Sequence, residues 1–572
     1  MSRDSSMSAP PEHFDAVVVG SGFGGSVMTY RLAEAGRRVC LLERGKSYPP
    51  GSFARSPQDM KQNFWDPSRG LQGLYNVWSF RHIGAVVSSG LGGGSLIYAN
   101  VLLRKDEKWF VKEDLANGGY ESWPLTRADL EPHYARVEKE IGVNAYPFDA
   151  SPFYDTPKTQ AMREAAAALA RSKPGQTTWG PLPLAVTFAN SAGPPVPGEP
   201  IPEAIPNLHG RTRTTCRLCG ECNVGCNYGS KNTLDYNYLT RALKAGADIR
   251  TRCEVRSFQP REGGRGYDVF YVRHQDGVTD THHLPLQHAT CDNLVLAAGT
   301  FGSTFLLLKN RAAFPALSPR LGSAFSGNGD ILGLTLHSLN ARTGAGRVIN
   351  PSRGTVITSA IRMADALDGV GADGRGFYLE DAGYPEFVNW IAQTADVPGM
   401  LLRLWRFAVA WIRRRLATNP ASDAGALFSA LFGDGNLTRS CLPLLGMGRD
   451  VPSGHFTLND GGFLDLDWSL AASNPYFERV RDTMRAVSTA LDGTFQDDPT
   501  WYLSRLITVH PLGGCPMGKD PAEGVVSNNG EVFGYPGLYI ADGSALPGPV
   551  GANPSLTIAA CADRFADRLL GH

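Results

Sequence analysis

Apolar runs and amphipathic stretches alternate near the start of the chain. Residues 15–19, DAVVV, form a short run of small and β-branched residues that predicts a buried strand. The next stretch, SVMTYRLAEAG, has the pattern of a helix, and RRVCLLERG then predicts a second strand. Strand, helix and strand in this order form a βαβ unit, so we expect an α/β fold with a parallel sheet.

The same alternation returns later in the chain. Residues 291–310, CDNLVLAAGTFGSTFLLLKN, predict a strand, a turn of small residues at Ala298 and Gly299, and a helix. Residues 537–570 predict a strand that ends at Asp542, a Gly-Ser turn and a last helix. The turn at Ala298 and Gly299 indicates backbone that approaches a ligand closely.

A glycine fingerprint fills the turn of the first βαβ unit. In GSGFGG, Gly20, Gly22 and Gly25 have the G-x-G-x-x-G spacing, which permits a tight turn, a close approach to a pyrophosphate and helix–strand packing. Glu43, 23 residues after Gly20, ends the second strand, where a carboxylate can accept hydrogen bonds from ribose hydroxyls. The predicted dinucleotide contacts of this unit are Gly20, Gly22, Phe23, Gly24, Gly25 and Glu43. The fingerprint does not separate FAD from NAD, but the acid disfavours NADP.

A second glycine cluster lies in SSGLGGGSLIYANV, residues 88–101. Gly92, Gly93 and Gly94 are consecutive, Ser95 follows them, and Asn100 is close behind. Three adjacent glycines suit a loop that is pressed against a flat or charged ligand. The apolar residues on either side argue against a flexible surface loop.

Composition sets the broad class of the protein. A chain of 572 residues is too long for one compact core, so two or more interleaved domains are expected. Fifty-five basic residues balance fifty-five acidic ones, which gives no reason to expect nucleic acid as the partner. The N-terminal MSRDSSMSAPPEHF has no apolar signal core, and no uncharged apolar run reaches the ~18 residues of a membrane span. We therefore expect a cytoplasmic protein.

Four of the ten cysteines cluster in TTCRLCGECNVGCNYGSK, residues 214–231. Cys216, Cys219, Cys222 and Cys226 have the C-x2-C-x2-C-x3-C spacing of an iron–sulfur ligand run. Three interpretations remain open at this stage: an iron–sulfur cluster, a loop pinned by zinc or disulfides, and reduced structural thiols. The six scattered cysteines are predicted to be small buried residues.

Two C-terminal motifs, HPLGGC from His510 and GANPSLTIAA from Gly551, complete a series that starts at residue 15. With these motifs the chain resembles the glucose–methanol–choline (GMC) oxidoreductase family of flavoproteins, and within it the bacterial non-covalent cholesterol oxidase branch. The resemblance implies non-covalent FAD, an interrupted Rossmann-like flavin domain, and a substrate domain with a mainly antiparallel β-sheet. It also implies hydride transfer from an alcohol carbon to the flavin.

The resemblance assigns roles to particular residues. His510 and Asn553 match the paired active-site residues of the family. His510, beside a proline and two glycines, would accept or relay the proton of the substrate hydroxyl. Asn553 would orient the same hydroxyl, although an asparagine before a proline also serves as a helix cap. The implied FAD contacts beyond the fingerprint are Gly92, Gly93, Gly94, Ser95, Asn100, Val255, Ala298, Gly299, Asp542, Gly543, Asn553 and Pro554.

The chain departs from the branch in three places. The branch carries an asparagine within the glycine loop, where this sequence has Tyr98 and keeps Asn100 slightly later. The catalytic glutamate of the branch has no matching motif; Glu380 in GFYLEDAGYPEF is the candidate, and Glu386 is as near. The cysteine run is also absent from the best-known sterol oxidases.

The segment VPGMLLRLWRFAVAWIRRRLA, residues 397–417, is amphipathic. On a helix, its arginines fall on one face and its leucines and aromatic residues on the other. Such a helix either covers the substrate domain with a solvated basic face or rests on lipid and admits an apolar alcohol. It carries too many arginines to span a membrane, so any membrane contact would be peripheral.

The flavin domain is predicted to comprise 10–46, 85–105, 210–310 and 505–572, and the substrate domain 106–209 and 311–504. A Pro-rich loop, residues 191–207, precedes the cysteine run. The leading hypothesis is FAD-dependent oxidation of a bulky apolar alcohol, sterol-like or long-chain, with oxygen or an external electron acceptor. One alternative is a sugar or polyol dehydrogenase that passes electrons through an iron–sulfur cluster. Another is a non-catalytic flavin- or lipid-binding protein. The sequence does not determine the oligomeric state.

Overall fold

The computed structural model describes residues 11–385 and 440–572, except 116, 191–192, 264 and 341–342. Over these residues the α-helices are, in chain order, α1 (Phe23–Glu34), α2 (Pro57–Lys61), α3 (Arg127–Ile141), α4 (Pro157–Ser172), α5 (Tyr238–Lys244), α6 (Gly299–Lys309), α7 (Asn474–Ala490) and α8 (Ser555–Leu570). Two predictions, the amphipathic segment 397–417 and Glu386, lie outside the described residues.

The strands are, in chain order, β1 (Glu12–Val19), β2 (Val39–Glu43), β3 (Trp65–Asp66), β4 (Leu71–Gln72), β5 (Tyr75–Ser79), β6 (Ile83–Ser88), β7 (Val111–Glu113), β8 (Tyr120–Ser122), β9 (Asn144–Ala145), β10 (Thr177–Pro181), β11 (Pro183–Leu184), β12 (Asp248–Thr251), β13 (Cys253–Pro260), β14 (Tyr267–Arg273), β15 (Leu286–Leu296), β16 (Ile331–Leu336), β17 (Ser359–Met363), β18 (Phe377–Asp381), β19 (Leu442–Gly448), β20 (His455–Leu458), β21 (Leu464–Asp467), β22 (Thr494–Asp497), β23 (Leu506–Thr508) and β24 (Leu538–Ile540).

A seven-stranded sheet contains the βαβ unit. Its order is β12-β2-β1-β15-β14-β13, and β24 pairs with the end of β15. The strands β12, β2, β1, β15 and β24 run parallel, and the apolar residues of β1 and β2 are buried because helices cover the sheet. The strands β14 and β13 add an antiparallel hairpin at the start of β15. The predicted Rossmann-like α/β fold is therefore confirmed.

Helix α1 connects β1 to β2 and packs against α5 and α8. The side chains of Val27, Met28 and Leu32 on α1 are fully buried. Arg31 pairs with Asp563 and Asp567 of α8, so the last helix is fixed to the first by charge as well as by apolar packing. This contact brings the N-terminus of α8 to the carboxyl edge of the sheet.

A second sheet has six antiparallel strands in the order β10-β17-β18-β19-β16-β22. Helices α4 and α7 pack on it, and the apolar residues between them form a second core. The mainly antiparallel sheet expected for a substrate domain is thus present, while the predicted domain limits stay a prediction. A smaller sheet, β23-β6-β5, leads the chain to His510.

Two further expectations concern cysteines and membranes. All six scattered cysteines are buried, as predicted. Within the described part of the chain, no helix combines the length and the apolar character needed to cross a bilayer.

Candidate active site

The two glycine loops meet at Ser21. The backbone N–H and the hydroxyl of Ser21 both donate to Oε2 of Glu43, at 3.0 and 2.6 Å. The same hydroxyl oxygen accepts from the N–H of Gly92 at 3.0 Å. A Cβ atom on Gly93 would lie 2.5 Å from Cα of Gly22. The sequence motifs at 20–25 and 92–95 therefore form one surface, with Glu43 beneath it.

This surface fits the pyrophosphate of a dinucleotide. Helix α1 begins at Phe23 without a side-chain cap, so its first N–H groups are free to bind an anion. A Cβ on Gly24 would overlap the carbonyl of Ala541, whereas a Cβ on Gly22 would meet no protein atom within 4 Å. Gly24 is thus required by packing, and Gly22 leaves an open approach for a ligand. Asn100 is buried with neither side-chain amide atom bonded to any described residue, which also indicates a ligand.

Asp542 anchors two turns that face the same region. Its Oδ2 accepts from the N–H of Gly299 at 2.9 Å and from the hydroxyl of Ser303 at 2.5 Å. Its Oδ1 accepts from the N–H and hydroxyl of Ser544. Asp542 therefore fixes Ala298–Gly299, at the start of α6, beside the turn that contains Gly543. Its predicted contact with the ribityl chain would have to share oxygens that already accept four bonds.

The structure also shows the surroundings of Val255 and of Tyr98, which stands where the family branch has an asparagine. Val255 is buried in β13, next to an irregularity in the pairing with β14 between Val255 and Ser257. Tyr98 is partly buried, and its ring meets Phe23 edge-on with centroids 5.4 Å apart. Its hydroxyl has no partner among the described residues. The adenine contact predicted for Val255 stays a prediction.

His510 is held by a carboxylate that sequence analysis did not identify. Nδ1 of His510 lies 2.8 Å from Oδ1 of Asp330, at the start of β16. Oδ2 of Asp330 accepts from the hydroxyl of Thr508 and the N–H of Val509, each at 2.9 Å. Because a carboxylate only accepts, Nδ1 donates to Asp330, and a neutral ring with its proton there presents the Nε2 lone pair. The ring is only partly exposed, whereas Asp330 is buried.

Glu380 lies on β18 and points toward Asn553. The Nδ2 group of Asn553 lies 3.5 Å from Oε2 of Glu380, and Glu380 is fully buried. The neighbouring Asp381 points to the opposite face of the sheet, where it accepts from Thr358 and the N–H of Ser359, as alternation along a strand requires. Asn553 does not cap α8, which begins after Pro554 without a side-chain cap.

Burial raises the pKa of Glu380 well above its ordinary value. The negative charges of Asp381 and Asp330 act in the same direction, and the hydrogen bond from Asn553 opposes them. Oε1 of Glu380 and Oδ1 of Asn553 are buried without a partner in the described part of the chain. Free polar atoms in an apolar setting carry a cost unless a ligand bonds to them.

A strap of chain, residues 326–330, joins the pieces of this site. The side-chain amide of Asn328 donates to the carbonyl of Ala552 at 2.9 Å and accepts from the N–H of Gly551 at 2.8 Å. Asp450 accepts from the hydroxyl of Ser326 and, at 3.1 Å, from the N–H of Gly327. The strap therefore sets Asn553 and His510 relative to each other. Its sequence, SGNGD, is rich in turn residues, and that was the signal available for finding Asp330.

The cysteine run forms a separate site beside the glycine loop. Cys216, Cys219, Cys222 and Cys226 line one cavity together with Lys231, and all four are free thiols. The structure therefore contains no disulfide among these four cysteines, so the loop is not pinned in that way. Burial raises the pKa of Cys219 to about 12, and the nearby Cys222 adds to the effect.

The chain is similar to known proteins over nearly its whole length. Residues 207–324 and 469–562 match family models described as GMC oxidoreductase, and residues 18–72 match an NAD(P)-binding Rossmann-like domain. A cholesterol oxidase of Mycobacterium tuberculosis is 31% identical over 97% of this chain and 90% of its own length. A gluconate 2-dehydrogenase flavoprotein of Pantoea cypripedii is 24% identical over 96% and 92% of the two chains. Among solved structures, pyridoxine 4-oxidase from Mesorbium loti superposes with a TM-score of 0.56 at 18% identity, covering 98% and 99% of the two chains.

Proposed function

Because the chain belongs to the GMC oxidoreductase family, whose members are FAD-dependent enzymes acting on CH–OH groups, we propose that it oxidises a bulky, apolar alcohol, sterol-like or long-chain, to a ketone or aldehyde. The observation that carries the proposal is the buried Glu380–Asn553 pair next to the Asp330–His510 pair. Similarity to cholesterol oxidases over nearly the whole chain supports an apolar substrate.

The residues that would hold FAD are those of the two glycine loops, with Glu43 below the fingerprint and the turns fixed by Asp542 on the other side. When bound, FAD supplies the acceptor for the hydride from the carbinol carbon. The free N–H groups at the start of α1 would bind its pyrophosphate.

Side chains of the protein orient the alcohol hydroxyl and accept its proton. Nε2 of His510 accepts a hydrogen bond from the substrate hydroxyl, since Asp330 keeps the ring proton on Nδ1. Asn553 orients the hydroxyl with its amide, whose Oδ1 is free. The hydroxyl gives up one proton as the carbonyl forms: His510 accepts it at Nε2 and relays it to Glu380, whose raised pKa makes its ionised form a stronger base.

An anaerobic substrate screen tests the substrate class. The yellow holoprotein is mixed with a sterol, a long-chain primary alcohol, a sugar and a polyol, and the loss of oxidised-flavin absorbance is followed. We expect the sterol or the long-chain alcohol to reduce the flavin fastest. Fastest reduction by the sugar or the polyol would contradict the apolar substrate while leaving alcohol oxidation intact.

A second candidate is a sugar or polyol dehydrogenase that delivers electrons to an external acceptor. The four clustered thiols favour it, and one relative over most of the chain is a gluconate 2-dehydrogenase flavoprotein. Reoxidation of the substrate-reduced protein separates the two candidates. Rapid reoxidation by oxygen supports an oxidase, whereas reoxidation by a dye with slow reaction toward oxygen supports a dehydrogenase.

A further inference from the structure

Two adjacent residues of opposite charge contact both halves of the Glu380–Asn553 pair through their neighbours. Lys105 follows the second glycine loop in the chain and is fully buried, and Asp106 is partly exposed beside it. We infer that Lys105 and Asp106, called the Lys105–Asp106 clamp below, are positioning residues that set the distance between Glu380 and Asn553. The inference rests on the proposed function, because it concerns the same pair of side chains.

Lys105 holds the loop that carries Asn553. Its Nζ donates to the carbonyls of Pro549 and Val550, at 2.7 and 3.0 Å, and these residues come just before Asn553 in the chain. Burial lowers the pKa of Lys105 well below its ordinary value. The face of the Trp123 ring, whose centroid lies 4.1 Å from Nζ, opposes this effect by favouring the charged form. The loop is therefore tied to a lysine that is enclosed on all sides.

Asp106 holds the strand that carries Glu380. Its Oδ2 accepts from Nε of Arg362 at 3.0 Å and from the hydroxyl of Tyr378 at 3.1 Å. Arg362 and Tyr378 lie opposite each other on β17 and β18. Because side chains alternate along a strand, Tyr378 lies on the same face of β18 as Glu380, two residues away. Asp106 therefore fixes this face of the sheet next to Glu380.

Trp109 fills the space between the two contacts. Its N–H donates to the carbonyl of Asp106 at 3.0 Å, which closes a short helical turn. The buried ring meets Tyr378 edge-on, with centroids 5.8 Å apart. The same ring packs on Gly551, where a Cβ atom would lie 2.5 Å from a ring carbon. Trp109 thus touches both β18 and the loop before Asn553, so the clamp has a rigid spacer.

The distance that the clamp sets lies where a small shift has a large effect. Nδ2 of Asn553 is 3.5 Å from Oε2 of Glu380, at the outer limit of a hydrogen bond. Asn328 fixes the same loop to the strap through Gly551 and Ala552. The clamp adds the link between this loop and β18, and both links together determine whether the bond to Glu380 forms.

Substitution of each half of the clamp tests the inference in the full-length, FAD-loaded protein. Lys105→Met keeps an unbranched side chain but removes both carbonyl bonds, and Asp106→Ala removes the acceptor for Arg362 and Tyr378. Each should lower the limiting rate of anaerobic flavin reduction by about tenfold or more, with the dissociation constant of the alcohol within about twofold of the parent. Lys108→Met, which removes a bond to the carbonyl of Asp368 in the same segment, should keep the rate of the parent.

The double variant Lys105→Met/Asp106→Ala tests whether the two residues act as one device. Breaking either end releases the clamp, so the double variant should be no slower than the slower single variant. A loss equal to the product of the two single losses would show independent effects and would overturn the inference.

The pH dependence of the limiting rate separates positioning from general loosening. The bond from Asn553 favours ionised Glu380, whereas burial and the charges of Asp381 and Asp330 raise its pKa. Loss of the bond should move the rise of the rate to higher pH by about one pH unit.

This shift should have the same direction in Lys105→Met and Asp106→Ala. Because the two residues carry opposite charges, a common direction excludes a direct effect of the removed charge. An unshifted profile, or shifts in opposite directions, would contradict the positioning role. If Lys105→Met fails to fold, Asp106→Ala decides by its own rate and profile, since Asp106 is partly exposed.

Failure of the proposed function would give a different pattern, in which no alcohol reduces the flavin of the parent. Hydrogen exchange of the peptide 546–556, measured without substrate, then tests the clamp. It should be faster in Lys105→Met than in the parent and in Lys108→Met. Equal exchange in the three proteins would overturn the inference.

Discussion

The substitution Asp330→Asn tests whether Asp330 fixes the tautomer of His510. The amide oxygen of the new asparagine can keep the two bonds now made by Oδ2, from Thr508 and Val509, each at 2.9 Å. Its NH2 group then faces Nδ1 of His510, 2.8 Å away in the parent protein. Two donors cannot face each other, so Nδ1 becomes an acceptor and the ring proton moves to Nε2. Nε2 can then no longer accept the substrate hydroxyl.

The size of the effect follows from the role that is lost. Proton transfer by a positioned side chain contributes about 10²- to 10⁴-fold to a rate, so flavin reduction by the alcohol should slow by that factor. The loss should appear in the limiting rate constant of anaerobic stopped-flow reduction, with FAD content unchanged. Asp450→Asn is the matched control, because Asp450 bonds the same strap without touching His510. Reduction of Asp330→Asn within about twofold of the parent would refute the positioning role.

Three further predictions concern the base, the cofactor loop and pH. Glu380→Gln removes the buried base and should slow flavin reduction by about 10²-fold or more at unchanged FAD content; an unchanged rate would exclude Glu380 as base. Gly22→Ala adds a Cβ that meets no protein atom, so the fold should persist while FAD affinity, measured by dialysis and fluorescence, falls; Gly180→Ala, equally unobstructed but remote, should retain the affinity of the parent. Burial raises the pKa of Asp450 to about 7 from an ordinary 3.8, so the unfolded chain ionises first and the stability contribution of this group falls as pH rises from about 4 to 7. Between pH 5 and pH 8 this group should lower the free energy of unfolding by up to about 2.5 kcal/mol, and Asp450→Asn should remove that difference in urea unfolding at the two pH values; an unchanged difference would contradict the pKa shift.

The parts of the fold that depend on nearby residues were predictable from sequence. The strand, glycine turn and helix at 15–34 and the strand that ends at Glu43 are each defined within a few residues, since their spacing sets the backbone. The observed α1 begins at Phe23, three residues before the predicted helical pattern, because the glycines themselves form its first turn. The turn before α6 was likewise visible from its small residues.

The partners of the proposed catalytic groups were not predictable, because they come from distant parts of the chain. Asp330 precedes His510 by 180 positions, and Glu380 precedes Asn553 by 173. Each pair depends on how the six-stranded sheet is registered against the C-terminal motifs, which no local pattern encodes. Glu380 and Asp381 are adjacent acids in sequence, and strand alternation alone separates the one facing Asn553 from the one bonded to Thr358.

The cysteine run illustrates an intermediate case. The spacing is that of an iron–sulfur ligand run, but it left three interpretations open: an iron–sulfur cluster, a loop pinned by zinc or disulfides, and reduced thiols. The structure adds the cavity, the free thiols and the buried Lys231 that joins the loop to Leu96. None of these contacts has a signature in the cysteine spacing itself.

Anaerobic mixing of alcohol with the protein and with a variant that lacks the proton-handling groups is the most direct test of the account. The measurement is the oxidised-flavin absorbance of the parent and of His510→Ala/Glu380→Gln, both with a full complement of FAD, after addition of the best alcohol from the screen. The account predicts that the parent bleaches and the double variant stays yellow on the same time scale. Equal bleaching of both proteins would contradict it.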